Sequence, residues 1–501
     1  MFFIKAKPQR LKSRKYQNLN LKNIRGLVPT FQADVLAGIT VALALIPESL
    51  AFAAIVKVNP MVALYTSFCM ATVISLAGGR PAMISAATGS MALLMTSLVA
   101  KHGLEYLFAA TVLTGIIQFL MGIFKLGRFF TFIPPSVIAG FVNALGILIF
   151  TAQLQQFAGE PWQMYVMVAA TLAIVYLFPR ITKAVPSPLV AIVVMTIAAI
   201  SMNLPIRRVG DIGAITATLP SFHIPHISLS LETLSIILPY SLPLAIVGIL
   251  ESLLTAALVD ELTETKSSRN KEVQGQGIAN IVTGFFGGMA GCGMVGQSII
   301  NVRSGGRSRL STFVSGAFLL FSIMLLRDVV MQIPMAALIG VMIMVAAETF
   351  DWKSLKQLQK MPLSEAFVMP LTVIIVVWTH DLAKGVIAGV LVSAVVFAWK
   401  LTHLKTTISI DSDGSKLYQI SGQIFFGSMT HFLEIFNYSQ DPEHIVIDFS
   451  HAHIWDHSAV TAVSKVVQKY RKLNKEVTLV GLNEESKSFV RKIGIPELSV
   501  Q

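Results

Sequence analysis

The chain has 501 residues, of which 54% are hydrophobic and only 13% are charged. Soluble domains carry roughly twice this charged fraction, and a single soluble core has no place for so many long apolar segments. The net charge of +12 fits either nucleic-acid binding or basic loops beside a membrane. Because apolar segments dominate the chain, the second interpretation is favoured. The composition therefore predicts a protein of the lipid bilayer that binds no nucleic acid.

Basic side chains dominate the first 33 residues, and no acidic residue precedes Asp34. A short apolar segment followed by small residues, which would mark a cleavable signal peptide, is not found there. We expect residues 1–33 to form a basic cytoplasmic arm that faces the lipid headgroups.

Fourteen apolar segments follow, most of them near the length that crosses the ~30 Å hydrocarbon core of a bilayer. They lie at 34–56, 60–78, 83–100, 104–124, 132–154, 161–179, 187–203, 237–259, 275–290, 293–302, 311–326, 332–349, 363–379 and 383–401. An even number of spans puts both termini on one side, and the bias of lysine and arginine between the loops predicts that this side is the cytoplasm. The third and tenth segments are short or interrupted by Gly, Pro, Ser and Thr, so they are poor full spans.

Short sequence matches relate the first seven spans (34–203) to the last seven (237–403). Glu48–Ala54 and Glu251–Ala257 both read E-S-L-x-x-A-A. Two Ile-Pro dipeptides and two Gly-Gly pairs recur at similar separations. Because seven is an odd number, the second half enters the membrane inverted, as in many secondary transporters. The sequence thus predicts an all-α polytopic membrane domain over 34–403, built as a 7+7 inverted repeat.

The two poor spans occupy equivalent positions in the two halves. Ser85–Ser90 precedes an apolar stretch in the first half, and Gly291–Ser298 does so in the second. Small residues before a short helix permit irregular backbone at membrane depth where that backbone lines a cavity. Each helix start would offer free N–H groups and the positive end of its dipole, so the pair predicts an anion site. Close helix packing through small residues is the alternative.

Glu48 and Glu251 are carboxyl groups within apolar spans. A charged side chain there costs at least ~2.5 kcal/mol, and such residues usually face a cavity on an ion pathway. A carboxyl group beside a bound anion could take up a proton together with the substrate. We predict that Glu251, with Thr255 one turn further along, is the proton acceptor of a transport site, and that Glu48 is a second candidate. A structural, hydrogen-bonded role is the alternative for both carboxyl groups.

No motif in the chain indicates an enzyme: we find no phosphate-binding loop, no metal-ligand spacing and no nucleophile beside a base. Cys69 and Cys292 lie apart in apolar surroundings. His451, His453 and His457 are close in sequence, but they straddle a predicted strand-to-helix junction, which favours a surface role over metal binding. We expect no enzymatic activity, no cofactor and no metal.

After Lys400 the sequence changes character. Short β-like runs at Lys416–Ile420, His444–Phe449 and Glu476–Val480 alternate with helical segments. Such alternation predicts a small α/β domain, which we place at 404–501 on the cytoplasmic side.

The stretch 270–307, which begins N-K-E-V-Q-G-Q-G-I-A-N and ends N-V-R-S-G-G-R, resembles the sulfate permease (SulP) family of anion transporters. The G-G-R-P run at 78–81 and the G-Q-I-F-F-G run at 422–427 are similar as well. The resemblance covers nearly the whole chain. It implies a 7+7 inverted repeat with core and gate domains, like that of uracil transporters, followed by a STAS domain, the fold of anti-sigma-factor antagonists.

The resemblance also implies roles for particular residues. The family's anion lies between the third and tenth spans, a position carried over to Ala87, Thr88, Gly89, Gly293, Met294 and Val295.

The family's eighth-span carboxylate matches Glu251, and its hydroxyl one turn later matches Thr255. Glu in place of the Asp of sodium-coupled bicarbonate carriers favours protons over sodium. Some animal relatives have Arg where this chain has Gln297. The phosphorylatable Ser of the STAS fold matches Ser458, with Ala459 in place of the usual Gly.

Together these features predict a secondary active transporter of a small inorganic or carboxylate anion, in the sulfate, bicarbonate or dicarboxylate class. Proton-coupled symport by alternating access is the leading interpretation. The family implies a homodimer, and the basic tail and compact form suit a bacterial plasma (inner) membrane. The alternatives are an anion exchanger or channel without proton coupling, a nucleobase–proton symporter, and an anion sensor that signals through the STAS domain.

Overall fold

A computed structural model describes residues 24–128, 133–182, 185–216, 218–228, 230–411 and 414–493. Most of the predicted basic arm at 1–33 lies outside these ranges. The described residues divide into two compact units. The first unit comprises the residues up to Gln359 together with Met369–Val386, and the second comprises Lys360–Val368 and the residues from Ile387 onward.

A helix occurs at each of the fourteen predicted spans. In chain order the helices are α1 Ile24–Val56, α2 Pro60–Ala77, α3 Gly89–His102, α4 Leu104–Ile123, α5 Pro135–Leu154, α6 Trp162–Leu177, α7 Ser187–Ser201, α8 Leu231–Thr263, α9 Arg269–Phe285, α10 Val295–Arg303, α11 Arg309–Met331, α12 Met335–Thr349, α13 Trp352–Leu358, α14 Leu363–Ala366, α15 Val368–Thr379 and α16 Leu382–Leu401. Within the described ranges, nine helical segments are long and apolar enough to cross a membrane. The chain therefore contains a polytopic, mostly helical membrane domain.

The span predicted at 275–290 is displaced in the structure, because α9 begins at Arg269 and ends at Phe285. Its first turns are polar, so hydropathy alone placed the start too late. Its end is set by Gly287, whose φ of 71° breaks the helical path in a conformation that glycine adopts without steric cost.

Two short strands precede the two short helices. Strand β1 (Ser85–Ala87) leads to α3, and β2 (Gly291–Gly293) leads to α10. They pair antiparallel with Ala86 opposite Cys292, and all six residues are buried. Pairing satisfies backbone groups that water cannot reach at this depth. An antiparallel pair between equivalent segments agrees with the inverted repeat, which itself stays a prediction.

Helices α4 and α9 approach each other to backbone contact. A Cβ at Gly115 of α4 would lie 2.6 Å from the carbonyl oxygen of Gly277 on α9, and a Cβ at Gly277 would lie 2.7 Å from that of Gly115. Gly275 packs in the same way against Gly78, at the end of α2, with 2.8 Å from its Cβ position to the Gly78 Cα. Helix α9 is thereby fixed between α4 and α2.

Polar side chains of α9 hold the strand pair. The side-chain amide of Asn280 donates to the carbonyl oxygen of Gly291 at 3.0 Å, and its Oδ1 accepts from the Gly291 N–H at 2.9 Å. The amide of Gln276 donates to Ser85 Oγ at 2.7 Å. Both strands are thus bound to one helix, which itself cannot shift without breaking glycine contacts.

The second unit contains a small α/β fold. Its strands are β3 Lys405–Ile410, β4 Lys416–Ile424, β5 His444–Ile454 and β6 Glu476–Val480, and its helices beyond α16 are α17 Met429–Glu434, α18 His457–Lys472 and α19 Glu484–Ile493. The sheet has the order β3-β4-β5-β6; β3 pairs antiparallel with β4, and the other pairs are parallel. The predicted alternation of strands and helices is confirmed, with β3 as an added edge strand.

Candidate anion site

The two short helices begin without a side-chain cap. Thr88, in extended conformation, precedes α3, and Met294 precedes α10; neither makes a side-chain capping bond. The first N–H groups of a helix have no partner within the helix, and together with the dipole they attract anions. Each helix start can therefore act as half of an anion site.

The two helix starts differ in exposure. Val295, in the first turn of α10, is 43% exposed, and a Cβ at Gly296 would meet no atom within 4 Å. The start of α3 is closed instead: a Cβ at Gly89 would lie 3.2 Å from a ring carbon of Phe52 and 3.0 Å from Ile149 Cδ1. A small ligand could therefore reach the site from the α10 side.

Glu251 of α8 contacts the start of α3 and strand β2. Its Oε2 accepts a hydrogen bond from Ser90 Oγ at 2.6 Å, in the first turn of α3, and one from Cys292 Sγ at 2.7 Å, in β2. Thr88 Oγ1 lies 3.1 Å from Ser90 Oγ and 3.2 Å from Cys292 Sγ. One carboxyl group is thus connected to the strand pair and to the start of α3.

Thr255 supports the β2 side of this arrangement. Its hydroxyl donates to the carbonyl oxygen of Glu251 at 2.7 Å and lies 3.4 Å from that of Gly293. The neighbouring Ser252 Oγ accepts from the Gly293 N–H at 2.9 Å. Helix α8 therefore holds β2 by side-chain hydroxyls, and Thr255 lies beside Glu251 as predicted.

Glu48 of α1 contacts the other short helix. Its Oε1 accepts from Gln297 Nε2 at 2.7 Å, in the first turn of α10. Gln297 is buried, and its Oε1 has no hydrogen-bond partner within the described residues. Next to Glu48, Ser49 Oγ lies 2.7 Å from Ser67 Oγ. Ser67 Oγ in turn accepts a hydrogen bond from the backbone N–H of Ala87 in β1.

The structure brings the six predicted substrate-binding residues together around the strand pair. Ala87 and Gly293 belong to β1 and β2, and the other four lie at the two helix starts: Thr88, Gly89, Met294 and Val295. That they bind the anion stays a prediction.

Sequence reasoning did not find the roles of Ser90, Cys292 and Ser252 as hydrogen-bond partners. Ser90 directly follows the predicted binding residues of the first half, and the apolar surroundings of Cys292 in the sequence give no sign of a polar contact. Its bond to Glu251 joins residues 41 positions apart, a contact that no local pattern indicates.

The candidate phosphorylation site lies at the start of α18 in the second unit. Ser458 is half-buried there, next to Asp456, whose carboxylate accepts from the Ala459 N–H at 2.8 Å and caps the helix. His451 and His453 lie on β5, and His457 begins α18, so the three histidines straddle a strand-to-helix junction as predicted. Phosphorylation of Ser458 stays a prediction.

Two short helices that begin at non-helical backbone inside a polytopic helical domain are typical of secondary transporters. The family model described as the sulfate permease family matches residues 31–171 and 160–372, and the STAS domain model matches 408–499. The chain belongs to the sulfate permease family and carries a STAS domain. The predicted resemblance is confirmed.

Two relatives extend over most of the chain. The Bacillus subtilis (strain 168) protein named "Putative sulfate transporter YbaR" is 58% identical over 460 residues, which are 92% of this chain and 96% of YbaR. The Bicarbonate transporter BicA of Synechocystis sp. is 28% identical over 517 residues, which are 93% of this chain and 90% of BicA.

Two solved structures share the fold. The transmembrane domain of a cyanobacterium bicarbonate transporter BicA has a TM-score of 0.64 and 28% identity, over 73% of this chain and 97% of that one. The murine Slc26a9 anion transporter in the inward-facing state has a TM-score of 0.81 over 97% of this chain and 93% of that one. Its identity of 16% limits this second likeness to the fold.

Proposed function

We propose that the chain is a secondary active transporter that binds a small anion between the starts of α3 and α10 and takes up a proton at Glu251. The observation that carries the proposal is the carboxyl group of Glu251, which accepts hydrogen bonds from Ser90 at the start of α3 and from Cys292 in β2. Among the described residues no ion pair includes Glu251. Within the described part of the chain, an ionised Glu251 would have hydrogen-bond donors but no counter-ion.

The anion would be recognised by backbone N–H groups and two helix dipoles, each equivalent to about half a positive charge at its N-terminus. Such a site selects for charge and size rather than for one chemical group, which suits sulfate, bicarbonate or a dicarboxylate. The names of the relatives support sulfate and bicarbonate, and the protein named for sulfate is 58% identical. Sulfate is therefore the first substrate to test.

The proton would enter because two negative charges meet in one site. A bound anion and an ionised Glu251 repel each other in surroundings of low polarity, and protonation of the carboxyl group removes this repulsion. Anion and proton then bind together and are released together, which is symport. Ser90 and Cys292 can rotate their hydrogens, so both can adjust to a protonated carboxyl group.

We also propose that both termini lie in the cytoplasm and that the chain works as a homodimer without enzymatic activity. Lysine and arginine residues concentrate in the loops on the side of the N-terminus, which supports the orientation.

Tracer uptake into proteoliposomes tests the function. We expect an inward proton gradient to stimulate uptake of one anion from a panel of sulfate, bicarbonate and dicarboxylates. Glu251→Gln should abolish this stimulation, whereas Glu261→Gln, the same change at an exposed position of α8, should leave it intact. An uptake rate that changes neither with the proton gradient nor with Glu251→Gln would instead support an exchanger or a channel. Binding without any uptake would support a sensor.

A further inference from the structure

Three side chains that commonly bind metals meet at one place in the first unit. Glu105 lies in the first turn of α4, and His223 and His226 belong to the connection between α7 and α8. One ligand atom from each of them lies within 4.8 Å of those of the others. His223 Nε2 lies 3.1 Å and 3.0 Å from the two carboxylate oxygens of Glu105. The two imidazole rings are 5.0 Å apart.

These separations fit a shared metal ion. Zn²⁺ binds His nitrogen and carboxylate oxygen at about 2.0–2.2 Å in tetrahedral geometry, which puts neighbouring ligand atoms about 3.3 Å apart. The nitrogen–oxygen pair of His223 and Glu105 is close to this value. A direct hydrogen bond explains that pair equally well, but it gives no role to the ring of His226. The exposed ring of His226 can turn toward the same point.

The cluster is held in place by its neighbours. The backbone N–H of His226 donates to Glu105 Oε2 at 2.7 Å, which orients the carboxylate, and Oε1 faces His223 Nε2 at 3.1 Å. The backbone N–H of His223 donates to the carbonyl oxygen of Phe285 at 2.6 Å, at the end of α9. Its ring packs edge-on against Phe108. Partners of this kind orient metal ligands and raise their affinity.

We propose that Glu105, His223 and His226 bind one divalent transition-metal ion of the zinc class. Two imidazoles and one carboxylate leave a fourth position open to water or another ligand. Nitrogen donors favour zinc, nickel and copper over magnesium and calcium. No metal site was predicted from sequence: Glu105 lies 118 positions before His223, and only the fold brings them together.

The site is placed to restrain the connection between α7 and α8. Near its start this connection is fixed to the segments that precede α6 and α12, through the ion pair of Arg207 with Glu160 and the hydrogen bond from the Val209 N–H to the carbonyl oxygen of Ile333 at 2.9 Å. A metal would fix its later part to α4. If transport moves these groups of helices against each other, a filled site slows it. This consequence rests on the proposed function, whereas metal binding itself does not.

Cobalt(II) is a suitable probe, because tetrahedral coordination gives it visible absorption bands. We expect the purified full-length chain, with any polyhistidine tag removed, to bind one Co²⁺ that Zn²⁺ displaces. His226→Ala and Glu105→Gln should each weaken binding by at least about tenfold. His102→Ala, which removes an exposed histidine at the end of α3, should leave it unchanged. If the wild type binds no Co²⁺, or if all three variants bind it equally well, the proposed metal site is wrong.

Anion uptake in the presence of Zn²⁺ tests whether a metal bound at this site slows transport. Zn²⁺ should slow transport by the wild type and by His102→Ala, but not by His226→Ala. Inhibition that persists in His226→Ala would show that the metal acts elsewhere and would contradict the restraint. If no anion is transported at all, the proposed function fails, while the Co²⁺ titration still decides whether the metal site exists.

Discussion

Buried carboxyl groups in the helical unit differ in the partners that hold them. Glu272 is fully buried and accepts from the backbone N–H groups of Gly79 at 2.7 Å and Arg80 at 2.8 Å, and from Gln276 Nε2 at 2.9 Å. Two of these three donors are backbone N–H groups, so the carboxyl group ties α9 to the segment that follows α2. Glu272 therefore has a structural role, although it lies in the stretch that carries the family resemblance.

Glu251 and Glu48 are held by side chains alone. Glu251 accepts from Ser90 and Cys292, and Glu48 accepts from Gln297. Hydroxyl and thiol hydrogens rotate, so the partners of Glu251 can accept from a protonated carboxyl group as well as donate to an ionised one. The amide nitrogen of Gln297 only donates, so it cannot accept a proton carried on Glu48 Oε1, and a protonated Glu48 keeps this bond only with its proton on Oε2. This difference favours Glu251 over Glu48 as the proton carrier.

Asp441 is the central buried charge of the STAS domain. Its carboxylate accepts from Lys416 Nζ at 2.6 Å, from Tyr418 Oη at 2.7 Å and from Tyr470 Oη. Burial works to raise the pKa of Asp441, but the hydrogen bonds from these three side chains hold it below its ordinary value of 3.8. A lowered pKa in the folded state means that the ionised group stabilises the domain above about pH 4. The stabilisation is lost as pH falls through the folded-state pKa.

We predict that Asp441→Asn destabilises the STAS domain by about 1.5–3 kcal/mol at pH 7, the usual range for hydrogen bonds to a charged group. Hydrogen exchange of β4 and β5, measured in the full-length protein, should be faster in the variant. Glu443→Gln, at an exposed position two residues away, should exchange like the wild type. Unchanged exchange in Asp441→Asn, or an equal effect of both changes, would show that the network does not stabilise the sheet.

At the residue scale, sequence reasoning found the carboxyl groups but not their partners. Glu251 was recognisable because a charge in an apolar span is costly and rare. Cys292 and Ser90 were not, because their contacts with α8 depend on how β1 and β2 pair. Asp441 gave no signal at all, since its three partners come from β4 and α18, and only the sheet order brings them together.

At the scale of elements, α9 connects the packing of the helices with the site. It contacts α4 through Gly115 and Gly277, and its Asn280 binds both backbone groups of Gly291 in β2. A shift of α9 would therefore move β2 and the start of α10. Gly277 of the family-like stretch is explained by this contact, because any side chain there would separate the two helices.

We predict that Gly277→Ala disrupts the contact between α4 and α9. The added methyl group would meet the backbone nitrogen of Phe119 and lie 2.7 Å from the carbonyl oxygen of Gly115, and overpacking of this kind costs about 1–3 kcal/mol. The melting temperature in detergent should fall, and the yield of monodisperse protein should drop.

Gly296→Ala is the matched control, because its Cβ would meet no atom within 4 Å. Each variant adds one methyl group to a helix, but only the methyl group at position 277 would meet the backbone of a neighbouring helix. If the two variants melt alike, the backbone contact at Gly277 is not what limits stability.

The positions of the helices were predictable because length and hydropathy determine which segments can cross a bilayer. The predicted spans locate a helix at every position, including α3 and α10. The strand pair was not predicted, since three-residue strands have no periodicity to detect. The polar start of α9 was not predicted either, because hydropathy does not show that polar side chains have partners inside the protein. The partners of the α9 side chains are Ser85 and the backbone N–H groups of Gly79 and Arg80, not water.

At the scale of the whole molecule, a carboxyl group of each predicted half forms a hydrogen bond with the short helix of the other half. Glu251, from the second half, bonds to Ser90 at the start of the first half's short helix. Glu48, from the first half, bonds to Gln297 at the start of the second half's short helix. Equivalent residues of an inverted repeat would make such reciprocal contacts. Each carboxyl group can therefore respond to the position of the opposite half.

This arrangement leads to a prediction about the transport cycle. Gln at position 251 resembles a permanently protonated Glu, so Glu251→Gln should still bind the anion and reorient while loaded. It should fail at the later step, because net transport requires that the proton leave before the empty carrier returns. Exchange of labelled for unlabelled anion across the membrane requires no such step.

We therefore expect Glu251→Gln to retain counterflow, measured as labelled uptake into vesicles preloaded with the unlabelled anion, while losing uptake driven by a proton gradient. Glu261→Gln should show both activities. Loss of counterflow together with gradient-driven uptake would mean that Glu251 is needed to build the site rather than to carry the proton. Retention of both activities would assign the proton to another group, with Glu48 as the next carboxyl group to substitute.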